Sequence, residues 1–106
     1  MNRTITNQEN GQKFELKYSI KSLQKIENIL GISMFNEIYS KNAMFSITQL
    51  QIIIGYAVFN SEGNKISPEQ GADIAMDLIE NVGYKPVIEW VANVMKEDLG
   101  FLFRQD

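Results

Sequence analysis

At 106 residues, with 44% hydrophobic and 22% charged side chains, the chain has the length and composition of one globular domain, residues 1–106, able to bury a core without staples. The absence of both cysteine and histidine removes disulfides, the common zinc and copper sites, haem held by imidazole or thiolate, and every nucleophile paired with histidine. A formal charge of -3 speaks against nucleic acid as the main partner, because phosphate neutralisation takes a surplus of Lys and Arg.

The charge is unevenly spread. Residues 1–45 carry six basic and four acidic side chains, whereas residues 46–106 carry four and nine, an asymmetry that serves either self-association or a basic partner, or solubility alone. Residues 1–6 lack the apolar stretch of a secretory signal, and the expected location is the cytoplasm.

Residues 1–18 read as a β-hairpin. Phe14, Leu16 and Tyr18 alternate with Lys13, Glu15 and Lys17, Arg3-Thr4-Ile5-Thr6 is the partner strand, and Asn10-Gly11 lies in the turn. Ser19 caps a helix whose apolar positions Ile20, Leu23, Ile26, Ile29 and Leu30 follow three-four spacing, and Gly31 stops it. Ser33 starts a short turn through Met34, Phe35 and Ile38, ahead of a polar break at Ser40-Lys41-Asn42.

Ser46-Ile47-Thr48-Gln49 has the form of a capping box, and the apolar run from Leu50 to Phe59 predicts a central helix too short to cross a bilayer. Gly55 inside that run points to close backbone packing. Ser67-Pro68-Glu69-Gln70 is a second capping box with proline at the first helical position; Ile74, Leu78, Ile79 and Val82 mark the buried side and Gly83 ends the helix. Pro86 then starts a last helix with Val87, Trp90, Val91, Val94 and Met95 as its stripe. The expected fold is α+β and mostly α: a short N-terminal hairpin (residues 1–18) and a bundle of four or five helices (residues 19–103).

The glycines are scattered singly, so no phosphate-binding loop exists. Glu69, Asp73, Asp77 and Glu80, at spacings of four, four and three, form an acidic stripe on one helix. It reads either as a solvated face or as a docking strip for a basic helix, since catalysis by paired carboxylates needs a cleft that nothing here indicates. Met34, Met44, Met76 and Met95 are spread over four segments, which favours core filling over an adaptable binding surface. The tail Leu99-Gly100-Phe101-Leu102-Phe103 cannot turn all its bulky side chains inward from one helix, so it either folds back or binds another chain. The residues alone describe a binding or scaffolding domain with no catalytic, metal or cofactor site.

The order of elements resembles the small tail assembly chaperones of long-tailed bacteriophages and related proteins of gene transfer agents. The resemblance runs from Phe14-Glu15-Leu16-Lys17-Tyr18 through Ile20-Lys21-Ser22-Leu23-Gln24-Lys25-Ile26-Glu27 and Leu30-Gly31-Ile32-Ser33 to the Ser67-Pro68-Glu69-Gln70 start and the Gly83-Tyr84 stop, roughly residues 10–100. It implies a non-catalytic protein of the bacterial host cytoplasm that coats the long helical tape measure protein and keeps it soluble until tail tube subunits polymerise around it. Members are often made also as a longer frameshifted product, and many self-associate. On this reading Asp73, Asp77 and Glu80 would dock the partner electrostatically, and Phe101, Leu102 and Phe103 would supply apolar contact. The rival expectations are a permanent phage component, such as a head-tail connector or tail completion protein, and a small regulatory protein, which would need a basic recognition helix.

Overall fold

The computed structural model describes residues 2–39 and 44–103. Along them run β1 (Thr4–Thr6), β2 (Lys13–Leu16), α1 (Ile20–Leu30), α2 (Met34–Tyr39), α3 (Ile47–Gly55), β3 (Val58–Asn60), α4 (Pro68–Val82), α5 (Tyr84–Asp98) and a 3-10 turn, Gly100–Phe103. The fold is α+β and mostly α. The expected break at Ser40-Lys41-Asn42 and the side chain of Phe103 lie outside the described residues.

The N-terminal alternation buries Ile5, Phe14 and Leu16 and leaves Thr4, Thr6 and Lys13 wet. β1 pairs antiparallel with β2 in the register Thr4 to Glu15, Ile5 to Phe14 and Thr6 to Lys13. The connecting loop closes where the Asn7 N–H donates to the Gln12 carbonyl, and the Gly11 N–H donates to the Asn7 carbonyl. Gly11 sits at φ 70° while Asn10 keeps a negative φ. The loop is therefore longer than the two-residue turn that Asn-Gly favours, and glycine alone takes the left-handed position.

The hairpin is not the whole sheet. The apolar run expected to be helical through Phe59 ends its helix at Gly55, and Val58–Asn60 forms a third strand antiparallel to β2, with Val58 opposite Leu16 and Asn60 opposite Phe14. Two causes act together. Val and Phe favour a pleated, half-buried surface, and pairing with β2 occupies backbone groups of a hairpin that would be marginal alone.

Helices α1, α3 and α4 begin on serine caps present in the sequence. Ser19 and Ser22 form a reciprocal capping box on α1, and Gly31 closes it in the left-handed region at φ 68°. Ser46 and Gln49 form the expected box on α3. Ser67 caps α4 by accepting from the Gln70 N–H, but the reciprocal bond expected of Gln70 does not form among the described residues. α5 starts at Tyr84, two residues before the expected proline start. Pro86 still falls in the first turn, where N–H groups have no intrahelical partner and a missing one costs little.

The core takes side chains from the sheet and from all five helices, with Phe14, Ile26, Met34, Phe45, Ile53 and Met95 among those excluded from water. Burying such a side chain contributes about 1.5–3 kcal/mol. Met34 and Met95 fill the core as expected, whereas Met44 is exposed. α3 is apolar on most sides because α1 and α4 pack against it: Leu50, Ile53 and Ile54 are fully buried. Its crossing with α4 is a glycine contact. A Cβ on Gly71 would lie 2.5 Å from the Gly55 carbonyl oxygen and 2.6 Å from its Cα, and a Cβ on Gly55 would lie 3.0 Å from the Pro68 carbonyl oxygen. The close packing expected at Gly55 is thus present, and Gly71 is its unforeseen partner.

Candidate docking surface

α4 presents the acidic stripe. Its cap and proline start fix the first turn, Ile74 and Ala75 bury one side against the core, and the helical repeat puts Glu69, Asp73, Asp77 and Glu80 on the exposed side. None of the four has an ion-pair partner among the described residues, and α4 itself carries no Lys or Arg. Asp73, Asp77 and Glu80 are therefore solvated carboxylates free to meet a cation. Among the described residues no group of three or more acidic side chains is placed to hold a metal ion.

Beside this stripe the surface turns apolar. A narrow crease of about 40 Å³ between α4 and the hairpin is lined by Ile5, Phe14, Ile74, Asp77 and Leu78, with Thr6 on its rim. A wider one of about 220 Å³ lies between Thr4 of β1, Leu78 and Val82 of α4, and Pro86, Val87 and Trp90 of α5. Val82, expected on the buried side, is 54% exposed as the last residue of α4. Ile20 and Ile29 of α1, also expected inside, are each 46% exposed, since the buried stripe of that helix narrows to Ser22, Leu23 and Ile26.

Arg3, just before β1, is already engaged. Arg3 clamps Asp98 with both guanidinium nitrogens at 2.8 and 2.9 Å, reaches Glu97 at 3.2 Å and donates to the Leu16 carbonyl. The hydrogen bond that Arg3 donates to Asp98, followed by the Asp98 charge and the contacts to Glu97, raises the Arg3 pKa against the opposing effect of burial. Asp98 also accepts the Tyr18 N–H at 2.9 Å, and the Trp90 indole N–H donates to the Asn2 carbonyl at 2.7 Å, so α5 holds the N-terminal strand from two points.

The C-terminal candidates occupy the 3-10 turn after α5. Leu99 is buried and anchors it, while Phe101 is 49% and Leu102 38% exposed. The tail thus divides: one residue folds back and two face solvent. Neither Phe101 nor Leu102 lines the two creases beside α4, so the acidic face and the apolar turn are separate features. The part played by Thr4, Leu78, Val82 and Trp90 in shaping the creases was not apparent from helix periodicity, which treats such positions only as core. No family model, curated protein or solved structure matches the chain.

Proposed function

We propose that the chain is a phage tail assembly chaperone: a non-catalytic protein that binds the tape measure protein in the host cytoplasm and keeps it soluble until tail tube subunits assemble. The observation that carries this reading is the order of strand, helix and stop signals over roughly residues 10–100, which resembles that family. The exposed, unpaired carboxylates of α4 support it. A chaperone must release its client, and charge contacts made in water are weak individually and screened by salt, so many can be made and broken in turn. Exposed Phe101 and Leu102 offer the apolar part of such a grip.

The test is co-expression with the tape measure protein encoded by the same phage, followed by affinity capture and sizing chromatography. A soluble complex with several copies of this chain per tape measure is expected, together with absence of the chain from purified particles. An insoluble tape measure, or a soluble one without bound copies, contradicts the reading; retention in particles assigns the chain to the permanent tail or connector instead.

A further inference from the structure

We propose that Asn10 is a site of spontaneous deamidation, and that release of the Gly11 N–H from the Asn7 carbonyl sets its rate. The inference stands on the loop between β1 and β2 and is independent of what the chain binds. Of the asparagines in the sequence, Asn10 alone precedes a glycine. Cyclisation of an asparagine joins its side-chain Cγ to the backbone nitrogen of the next residue, and glycine, with no Cβ, obstructs that approach least. Asn10 and Gly11 are both exposed, so water reaches the site.

The loop gathers the reacting groups and restrains them. The Gln12 N–H donates to Asn10 Oδ1 at 2.9 Å, which closes a ring running through the Gly11 nitrogen and puts a donor on the oxygen that gains charge as Cγ becomes tetrahedral. The attacking nitrogen is the group withheld. The Gly11 N–H donates to the Asn7 carbonyl at 2.9 Å, and Asn7 Oδ1 accepts from the Glu9 N–H at 2.9 Å, so this part of the loop must open before Gly11 can lose its proton. Asn60 offers a comparison within the chain. It ends β3, its Oδ1 takes the N–H groups of both Glu62 and Asn64, and the residue after it, Ser61, carries a side chain.

The reaction balances with water alone. The Gly11 nitrogen, its proton removed by hydroxide, bonds to Asn10 Cγ; the bond from Cγ to the side-chain nitrogen breaks, and ammonia leaves with a proton returned from solvent. Water then opens the cyclic imide. Attack at Cγ gives aspartate at position 10, whereas attack at the main-chain carbonyl carbon gives isoaspartate, in which the backbone runs through Cγ and is one atom longer. Either product makes the chain one unit more negative than its formal -3. The longer backbone of the isoaspartyl form no longer matches the closure in which the Asn7 N–H donates to the Gln12 carbonyl at 2.8 Å, so the modification loosens the hairpin at its turn.

The test incubates the full chain and the blocked peptide Gln8–Lys13 in mildly alkaline buffer, separates the acidic product by ion exchange, locates it by peptide mapping, and measures hydrogen exchange at the Gly11 amide in the same buffer. Cyclisation and exchange both need the same N–H released and deprotonated, so both slow by the fraction of time the loop is open. The product is expected at position 10 ahead of position 60, with its formation slower than in the peptide by the protection factor of Gly11, to within about threefold. Asn7→Ala, which frees the Glu9 N–H, should quicken exchange and deamidation together by about threefold or more. The proposal is overturned by a chain still unmodified at position 10 after the time that the Gly11 protection implies, or by modification as fast as in the peptide while Gly11 is protected. An unprotected Gly11 amide overturns it too, as does an Asn7→Ala chain that exchanges faster without deamidating faster.

Discussion

Single atoms decide two features of this molecule, and both can be tested by one-residue changes. The Tyr18 hydroxyl is buried and donates to the Ile53 carbonyl at 3.0 Å. That carbonyl is among the last of α3, and the N–H that would have reached it, on Ala57, bonds Ile54 instead. Tyr18 thus caps a helix end from another element. Tyr18→Phe strands the carbonyl and should lower stability by about 1–3 kcal/mol in urea unfolding. Burial, and then the nearby Asp98 charge, push the Tyr18 pKa well above its ordinary 10.0. A raised folded pKa means the contribution is whole below pH 10 and is lost as pH climbs from there through the folded value, because the unfolded chain ionises first. Wild-type stability should therefore fall in that alkaline window more steeply than that of Tyr18→Phe; parallel curves would contradict this role. The second feature is Gly71, whose substitution by Ala would drive a Cβ to 2.5 Å from the Gly55 carbonyl oxygen. Helices α3 and α4 would have to separate, with an expected loss of about 1–3 kcal/mol in the same assay. Ala at exposed Asp73, by comparison, should change stability by no more than about 0.5 kcal/mol.

At the level of elements, one carboxylate ties α5 to the hairpin at two places. Asp98, at the last turn of α5, receives Arg3 from the strand before β2 and the Tyr18 N–H from the strand's exit into α1. Asp98→Ala leaves the Tyr18 N–H without its acceptor and the Arg3 guanidinium with only Glu97 and the Leu16 carbonyl, and should cost about 2 kcal/mol. Amide exchange should quicken first in β1 and β2 and only later in α3, since the tie serves the hairpin. Uniform quickening would mean that the sheet and helices open as one unit.

The starts and stops of these elements were largely legible in the sequence, for local reasons. Ser19, Ser46, Ser67, Gly31 and Gly83 act on the backbone within a few residues, so their effects do not depend on what the chain meets later. The third strand was not legible. Val58 and Phe59 extend an apolar run that suits a helix or a strand equally, and the choice is made by Leu16 and Glu15, more than forty positions earlier. Exposure of Val82, Ile20 and Ile29 escaped for a related reason: periodicity shows which face is apolar, whereas coverage depends on where neighbouring helices end. The acidic stripe was readable because it needs only helical geometry.

For the whole molecule, the distribution of charge sets what it can bind. The −5 excess of residues 46–106 is concentrated along exposed α4, and Arg3 of the hairpin is paired with Asp98. A docking face built from solvated carboxylates gives binding that weakens as salt rises, with little effect on folding. The most direct test of this account combines Asp73→Lys, Asp77→Lys and Glu80→Lys in one chain and measures capture of the co-expressed tape measure protein across a salt series. The account predicts near-normal unfolding stability, within about 1 kcal/mol, together with loss of most of the captured complex at low salt. A triple variant that folds normally and captures the tape measure with unchanged stoichiometry and salt dependence would contradict it.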